Sequence, residues 1–503
     1  GQRSTHSLTG DVQMNLIDAI IRPFSPAMAL KRAQARQILA HYEAARPSRT
    51  RRNPKDNRSG NSLTDGAAET LRGQARHLEQ NHDLARGILT CLVNNVVGAK
   101  GIGVESQPKN LDGTVNKDLA DALNWYFTEW GRHPETTGEY SWAKTQRMMA
   151  RAWFRDGEVL SKSLMGSVPM LRHKTIVPYS LELLEADHIA DINDLRKGII
   201  QGVERNQWGQ PRFTYIYDQH PGEALGFRMK YRRIAAEDID HLKMTDRIRQ
   251  NRGVSIFAAV MNRLNDLKDY EEAERVAARI SAAMAAYVKK GTPDMYGVDQ
   301  EGDDEERTFE FAPGVVFDNL APGEDVGTLQ SNRPSALLQP FRDSMLKAIA
   351  SGSSSGYSTI SKNYDGTYSA QRQELVEQWV NYGSLSIDFI DDFVAPVVRR
   401  FVRIAVMSGK VRVSPKVDRE TLFDVDYLTP AMPWIDPKKE AEGHEANLRL
   451  RITSPQKIIR SRGDNPDEVL DQIEQWQTKL RDRNIQIEPE PANQRASSFQ
   501  DED

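Results

Sequence analysis

Apolar residues fall at helical spacing over several long stretches of the chain and alternate with polar ones over a shorter region between them. From Ala67 to Val97, the positions Leu71, Ala75, Leu78, Leu84, Ile88 and Val93 predict one or two helices. Gly98-Ala99-Lys100-Gly101-Ile102-Gly103 breaks that pattern. A further helix is predicted over Lys117 to Trp130, through Leu119, Leu123, Trp125, Tyr126 and Trp130. Ser141 is placed to cap the next, which carries Trp142, Met148, Met149 and Trp153. After Asp156-Gly157, a turn signal, the character changes. Residues 158–165, 179–184, 199–205, 213–217 and 229–234 are short, partly alternating and separated by Gly, Pro, Asn and Asp, which predicts strands and an α+β class.

The second half returns to helical spacing. Its longest stretch runs from Ser255 to Lys290 and is ended by Gly291 and Pro293; at ~1.5 Å per residue, it would extend about 54 Å, beyond an ordinary helix of a compact domain. Seven alanines lie within positions 273–286, and small side chains let helices pack closely, either against copies of the chain or in a single-chain bundle. Leu337, Leu338, Phe341, Met345, Leu346 and Ile349 resume the period in a second helix, which Gly356 shortens or kinks. The polar run Ser361-Lys362-Asn363-Tyr364-Asp365-Gly366-Thr367-Tyr368-Ser369 then interrupts the helices. Leu375, Val376, Trp379 and Val380 restart them towards Met407, with a kink expected at Pro396 and an end at Gly409. Short strands or loops follow to Pro433. Ser454-Pro455 and Asn465-Pro466 open two last helices, and disorder is expected from Ile487 onward.

Composition bounds the class. A chain of 503 residues, 39% hydrophobic and 27% charged, suggests two to four globular domains in water, since no apolar run approaches the ~20 residues that span a bilayer. The chain opens on Gly1, Met14 is a candidate natural start, and neither introduces a signal peptide. The single Cys91 excludes an internal disulfide, fits a reducing cytoplasm and reads as buried packing.

The net charge of -4 hides an asymmetry. Residues 31–60 carry nine Lys or Arg, Arg46, Arg49, Arg51, Arg52, Lys55 and Arg58 among them, against Glu43 and Asp56. This is either a basic arm that meets nucleic acid or an acidic neighbour, or a solvated tail. Residues 291–325 reverse the sign: eleven carboxylates, including Asp303, Asp304, Glu305 and Glu306, accompany the single Arg307. Two short strands are expected there, Arg307 to Phe311 and Val315 to Phe317.

Enzyme motifs are missing. Gly98-x-x-Gly101-x-Gly103 has the wrong spacing for a dinucleotide fingerprint, and no phosphate-loop sequence or HExxH occurs. The ten histidines show no paired metal-ligand spacing, and neither metal nor cofactor is expected. Asp187-His188 and Asp240-His241 read as structural, because neighbours in a strand point to opposite faces. The acidic run at 303–306 is consecutive loop sequence and makes a poor two-metal site.

The order of long helix, acidic insertion, second helix, S-K-N-Y-x-x-x-Y-S loop and long helix resembles the lambda-type family of bacteriophage portal proteins. The resemblance extends to Ala152-Trp153-Phe154-Arg155-Asp156-Gly157-Glu158, Leu181-Glu182-Leu183-Leu184-Glu185-Ala186-Asp187-His188-Ile189, Gly202-Val203-Glu204, Ala236-Glu237-Asp238-Ile239-Asp240-His241, Asn251-Arg252-Gly253-Val254 and Pro433-Trp434-Ile435-Asp436-Pro437. It implies an α+β ring subunit: a basic arm (1–60), an α/β wing (61–254), a first stem helix (255–290), an acidic clip (291–334) and a second stem helix (335–360). A tunnel loop (361–370), a long kinked wing helix (371–410), a wing or crown-like helical region (411–486) and a disordered acidic tail (487–503) complete it. The same resemblance implies a non-enzymatic, twelvefold ring at one capsid vertex of the virion, assembled in the bacterial cytoplasm. Through it a separate terminase, acting by its large subunit, would package double-stranded DNA and the genome would leave. Major capsid, scaffolding and head-completion or adaptor proteins would be its other partners, and no membrane is involved. Lys362, Asn363, Tyr364, Asp365, Thr367 and Tyr368 would line the channel, and Asp303 to Glu306 would repel the duplex. The residues alone also admit a metal-dependent nuclease or another DNA-processing enzyme.

Overall fold

The chain divides into two units, Gly1–Ser59 and Gly60–Asp503. A computed structural model describes residues 56–223, 229–282, 286–290, 324–328, 337–432, 437–483 and 485, together with Met28 and Lys31. In the first unit, Arg58 is exposed and held by Asp56, 2.6 Å between guanidinium and carboxylate. Arg46, Arg49, Arg51, Arg52 and Lys55 lie outside the described residues, as do the acidic run 303–306, the two strands expected at 307–317 and the tail from 486.

The second unit opens with α1 (Gly60–Asn81) and α2 (Asp83–Val96), separated at His82, whose extended backbone ends the continuous spiral. Next come β1 (Gly103–Ser106), α3 (Lys117–Trp130) and α4 (Trp142–Asp156). Asn116 and Ser141 cap the last two, accepting from the backbone N–H of Leu119 and Lys144 and satisfying donors that the first helical turn leaves free. Strands β2 (Glu158–Met165), β3 (Tyr179–Glu185), β4 (Ile199–Ile200), β5 (Val203–Arg205), β6 (Pro211–Tyr217), β7 (Tyr231–Ala235) and β8 (Ile239–Lys243) follow. They form two antiparallel sheets, β3-β2-β8 and β4-β5-β6-β7. The stretch 199–205 is two strands because Gln201 and Gly202, at φ 53° and 77°, turn the chain between them.

Helix α5 (Met261–Ala282) comes next, then the ribbon of β9 (Ala286–Lys290) and β10 (Glu324–Thr328), antiparallel with Glu324 opposite Lys290. This corrects the expected helix over 255–290. Turns occupy 256–260, and after Ala282 the alanine-rich sequence gives way to a strand ladder that residues about forty positions further on complete. Helix propensity differs by only a few tenths of a kcal/mol between most residues, too little to outweigh such pairing. The insertion therefore leaves and rejoins the body through a two-stranded ribbon.

Helices α6 (Leu338–Gly352), α7 (Tyr357–Ser361) and α8 (Tyr368–Phe389) follow. A π-helical turn, Ile390–Val394, passes into α9 (Ala395–Met407). The turn stands just before Pro396, which has no N–H to complete the α-helical ladder and is where the sequence places a kink. Last come β11 (Val425–Leu428), paired with β1, and helices α10 (Pro437–Arg449), α11 (Pro455–Ser461) and α12 (Pro466–Asp482). Ser454 and Asn465 cap α11 and α12, as the sequence predicts.

One core joins both halves of the chain. Leu89 and Leu92 of α2, Leu123 and Trp130 of α3, Trp153 and Phe154 of α4, and Phe389, Phe393, Val397 and Phe401 along α8 to α9 are all buried within it. Trp130 stacks on Tyr179 at 5.4 Å and donates its indole N–H to the Tyr179 carbonyl, so its polar atom stays paired in the interior. Cys91 is buried beside the Tyr382 hydroxyl, 3.3 Å away. A smaller cluster of Leu160, Leu184, Ile189, Ile216, Ile234 and Ile239 draws on both sheets.

Candidate nucleic-acid interface

The polar loop is presented by packed helices. Leu264 and Leu267 of α5 and Leu346 and Ile349 of α6 are buried in the same core, Tyr270 meets Phe341 at 4.8 Å, and Arg342 pairs with Glu271 at 2.7 Å. Gly352, the last residue of α6, lies against the turn that precedes α5, where a Cβ would lie 2.5 Å from a Val260 methyl. The chain then turns through buried Ser353 and Ser355 into α7, whose first turn is fixed by Glu374 of α8 accepting from the Ser358 N–H at 3.0 Å.

Lys362 ends α7 in the left-handed region, φ 56°. Its neighbours fold the loop back on itself: Ser361 Oγ accepts from the Asn363 N–H (3.2 Å), Asn363 Oδ1 accepts from the Asp365 N–H (2.9 Å), and Gln371 donates to the Tyr364 carbonyl. Thr367 caps α8 through the Ala370 N–H, so Tyr368 is the first residue of that helix instead of part of the loop. Lys362, Tyr364, Asp365, Thr367 and Tyr368 are exposed, and Asn363 is half-buried. Both tyrosines keep half or more of their surface in solvent, 59% for Tyr364 and 50% for Tyr368. Local turn chemistry thus sets the backbone while one cation and two phenols remain outward, a set able to touch phosphate and sugar without reading bases.

Sequence reasoning missed the neighbour of this loop. Lys439 of α10 stands 5.7 Å from the Tyr368 ring centre, and Glu440 pairs with Arg372 at 2.9 Å. Seventy residues separate these partners, and no local pattern announces them.

The segments 152–158, 181–189, 236–241 and 251–254, which carried part of the portal resemblance, supply a set of buried ion pairs. Glu158, fully buried, accepts from Arg252 Nε at 2.7 Å, the Gly253 N–H at 3.0 Å and His241 Nε2 at 2.9 Å. Burial pushes its pKa up, but Arg252 and His241 outweigh that and hold the carboxyl well below its usual range. Asp156, also fully buried, is clasped by Arg76 (2.8 Å) and Arg155 (2.7 Å), and Arg400 of α9 clasps Asp240 at 2.7 Å. Asp240 and His241 do point to opposite faces of β8, whereas Asp187-His188 sits in a single 3₁₀ turn and not a strand. Gly157 and Gly253 press backbone to backbone: a Cβ on Gly253 would lie 1.9 Å from the Gly157 carbonyl oxygen.

Glu185, Asp187 and His220 bring ligand-type atoms within 4.8 Å of one another. They do not suit a cation, because Arg76 already lies 2.5 Å from Asp187 and 3.2 Å from Glu185, and Arg155 lies 3.3 Å from Glu185. A metal ion would enter against two fixed guanidinium charges.

The family model described as phage portal protein, lambda family, matches residues 29–385, well over half of the chain. This chain belongs to the lambda family of phage portal proteins. The match runs from before α1 to the end region of α8 and includes the loop at Lys362–Tyr368; α9 to α12 lie beyond it. Among curated relatives, the chain is similar to the probable portal protein of Halomonas phage phiHAP-1, 24% identical over 80% of this chain and 79% of that protein. It is also similar to portal protein B of Escherichia phage lambda, 22% identical over 53% of this chain and 52% of the relative. Among solved structures, it resembles a chain in the neck of an empty GTA particle (TM-score 0.44, 14% identity, 85% of this chain and 98% of the other). A chain in the neck of a native GTA particle gives a TM-score of 0.41 at 13% identity, covering 79% and 94%. The chain's function is accordingly that of a phage portal protein, a family of structural and not catalytic role.

Proposed function

We propose that copies of this chain close into a ring, expected to be twelvefold, at one vertex of the capsid, with the Lys362–Tyr368 loop facing an axial channel for double-stranded DNA. The observation that carries this reading is the loop itself, a solvent-exposed cation and two phenols held out by braced helices in a member of the portal family. A conduit for a whole genome has to touch phosphate without holding it. Affinity for duplex DNA rises steeply with each phosphate neutralised, so a loop bearing one lysine, with Lys439 beside it, suits passage better than a basic groove would.

In this reading, the insertion reached through the β9–β10 ribbon, with Asp303, Asp304, Glu305 and Glu306, forms the acidic clip that meets the large terminase subunit during packaging and an adaptor afterwards. The basic arm around Arg46 to Arg58 contacts capsid or scaffolding protein, or DNA. The protein itself performs no catalysis. The purified chain should give closed rings by negative-stain microscopy and native mass spectrometry, with no DNA cleavage in magnesium. Replacing Lys362, Tyr364 and Tyr368 together by Ala should leave the rings intact and impair DNA packaging or retention. Rings lost in that variant would reassign the loop to assembly, and cleavage in magnesium would favour a nuclease.

A further inference from the structure

Three turns at one end of the β4-β5-β6-β7 sheet each hold a large apolar side chain in solvent: Leu195 is 82% exposed, Trp208 74% and Ile248 97%. Pairing of Ile199 with Glu204 sets the turn that precedes β4 beside the turn that links β5 to β6. The third turn follows β8 and meets the second, since a Cβ on Gly209 would lie 3.8 Å from Arg249 Nε. Each turn is fixed by a side chain. Asp194 Oδ1 accepts from the Arg196 N–H at 3.1 Å, Asn206 Oδ1 accepts from the N–H groups of Trp208 and Gln210 at 3.0 and 2.9 Å, and buried Gln250 donates to the Arg252 carbonyl at 2.8 Å. Asn61 of α1 also donates to the carbonyl of Arg249, whose φ of 64° is uncommon outside glycine. Scattered single apolar residues are ordinary on a surface, but three at the tips of locked turns, gathered at one end of the sheet, make a patch.

Positive charge surrounds the tips. Arg196, Lys197, Arg212, Arg247 and Arg249 are exposed in or next to these turns. The carboxylates there are fewer: Asp194 is taken up by its own turn and by Lys197 at 3.6 Å, Asp65 of α1 is engaged by Asn193 at 3.4 Å, and Asp246 is exposed. We infer that this end of the sheet is a docking surface for an acidic polypeptide segment that carries apolar side chains among its carboxylates. Duplex DNA would satisfy the cations alone, since phosphate gives Leu195, Trp208 and Ile248 nothing apolar to cover. A neutral apolar segment would satisfy the tips and leave the cations without a counterpart. An anionic membrane bears both features, but a portal protein works in a protein shell, which leaves polypeptide. Trp and Arg are the residues that most often anchor such contacts, and turns already locked lose little entropy on binding. The inference uses neither the ring nor the channel loop, and it stands or falls apart from them.

A short fluorescent peptide that alternates Glu with Leu and Phe tests the surface on the full-length protein by anisotropy. It should bind saturably, and about tenfold or more weakly once Ser replaces its Leu and Phe, or once Gln replaces its Glu. Trp208→Ala with Ile248→Ala should weaken the original peptide by a similar factor. Arg247→Glu with Arg249→Glu should do the same and should then prefer the peptide with Lys in place of Glu, a reversal that a merely misfolded variant would not show. Absence of saturable binding to the wild-type chain, or binding that either pair of substitutions leaves unchanged, would overturn the inference. So would a short DNA duplex or vesicles of phosphatidylglycerol that bind more tightly than the peptide and are lost in the same variants, which would give the surface to DNA or to lipid. Loss of self-assembly in those variants would overturn it too, by making a second copy of the chain the occupant.

Discussion

Gly253→Ala is expected to be among the most damaging single-methyl additions in this chain. The new Cβ would lie 1.9 Å from the Gly157 carbonyl oxygen and 2.6 Å from its carbon. Neither can yield cheaply. Gly157 occupies φ +85°, its carbonyl accepts from the Met244 N–H at 2.7 Å, and its own Cβ position is 2.3 Å from the Val254 carbonyl carbon. Relief therefore requires the 251–255 strand of backbone to move away from the α4–β2 turn. Overpacking in an interior ordinarily costs about 1–3 kcal/mol. Movement also takes the Gly253 N–H away from the fully buried Glu158 carboxylate, 3.0 Å away, and a hydrogen bond to such a charge is worth about 1.5–3 kcal/mol. Together they come to about 2.5–6 kcal/mol. Urea unfolding followed by tryptophan fluorescence reads it, since Trp130, Trp142 and Trp153 are buried in the adjoining core. A loss below about 1 kcal/mol at unchanged m-value would refute the reasoning, because it would mean that the two backbones separate without consequence.

Gly73→Ala, within α1 and with nothing within 4 Å of the added carbon, should act oppositely and stabilise by about 0.5–1 kcal/mol in the same unfolding assay. Glu158→Gln should remove a pH dependence. The folded-state pKa lies below the ordinary 4.5, so the unfolded chain binds more protons in acid; the stabilisation is complete above about 4.5 and fades as pH falls, and the variant's stability profile should be flatter there, measured by urea midpoints from pH 3 to 7. Glu374→Ala should free the first turn of α7 at a cost of about 1 kcal/mol and speed trypsin cleavage after Lys362, whereas an unchanged cleavage rate would show that Glu374 does not brace the loop.

What the sequence made legible was local. Caps at Ser141, Ser454 and Asn465 announced helices because one side chain and the N–H groups a few residues on are enough to start one. The loop at 361–369 was legible for the same reason, by its interruption of a clear period. Long-range pairing was not. Strands β1 and β11 are over three hundred residues apart and only four residues long, and Gly103-Val104-Glu105-Ser106 carries no alternation that would mark it. Alanine-rich sequence after Ala282 read as continuing helix because nothing local reveals β10. The ionic cluster was half visible: Asp156, Glu158, Asp187 and Arg252 lie in segments that resembled the family, but Arg72 and Arg76, which hold three of those carboxylates between them, sit in an amphipathic helix where arginine reads as ordinary surface.

That division has a physical reading. A surface meant to let DNA slide needs few residues and little geometric precision, since any phosphate contact it makes has to break again; the loop proposed for that role holds one cation, two phenols and turn-forming neighbours. The buried ion pairs between the helices and the sheets have the opposite requirement. Removing one partner from a buried ion pair costs about 3–5 kcal/mol, so a cluster such as Glu158, Arg252, Asp156 and Arg76 tolerates little drift in either sequence or geometry. Its members come from α1, the α4–β2 junction, β8 and the segment before α5, and satisfying all of them at once fixes those four elements against each other. Four of the segments by which this chain resembled its family, 152–158, 181–189, 236–241 and 251–254, are thus those in which a charge or a glycine is caged. On this argument, loop residues should exchange among polar types with small effect on folding, while the caged pairs should not.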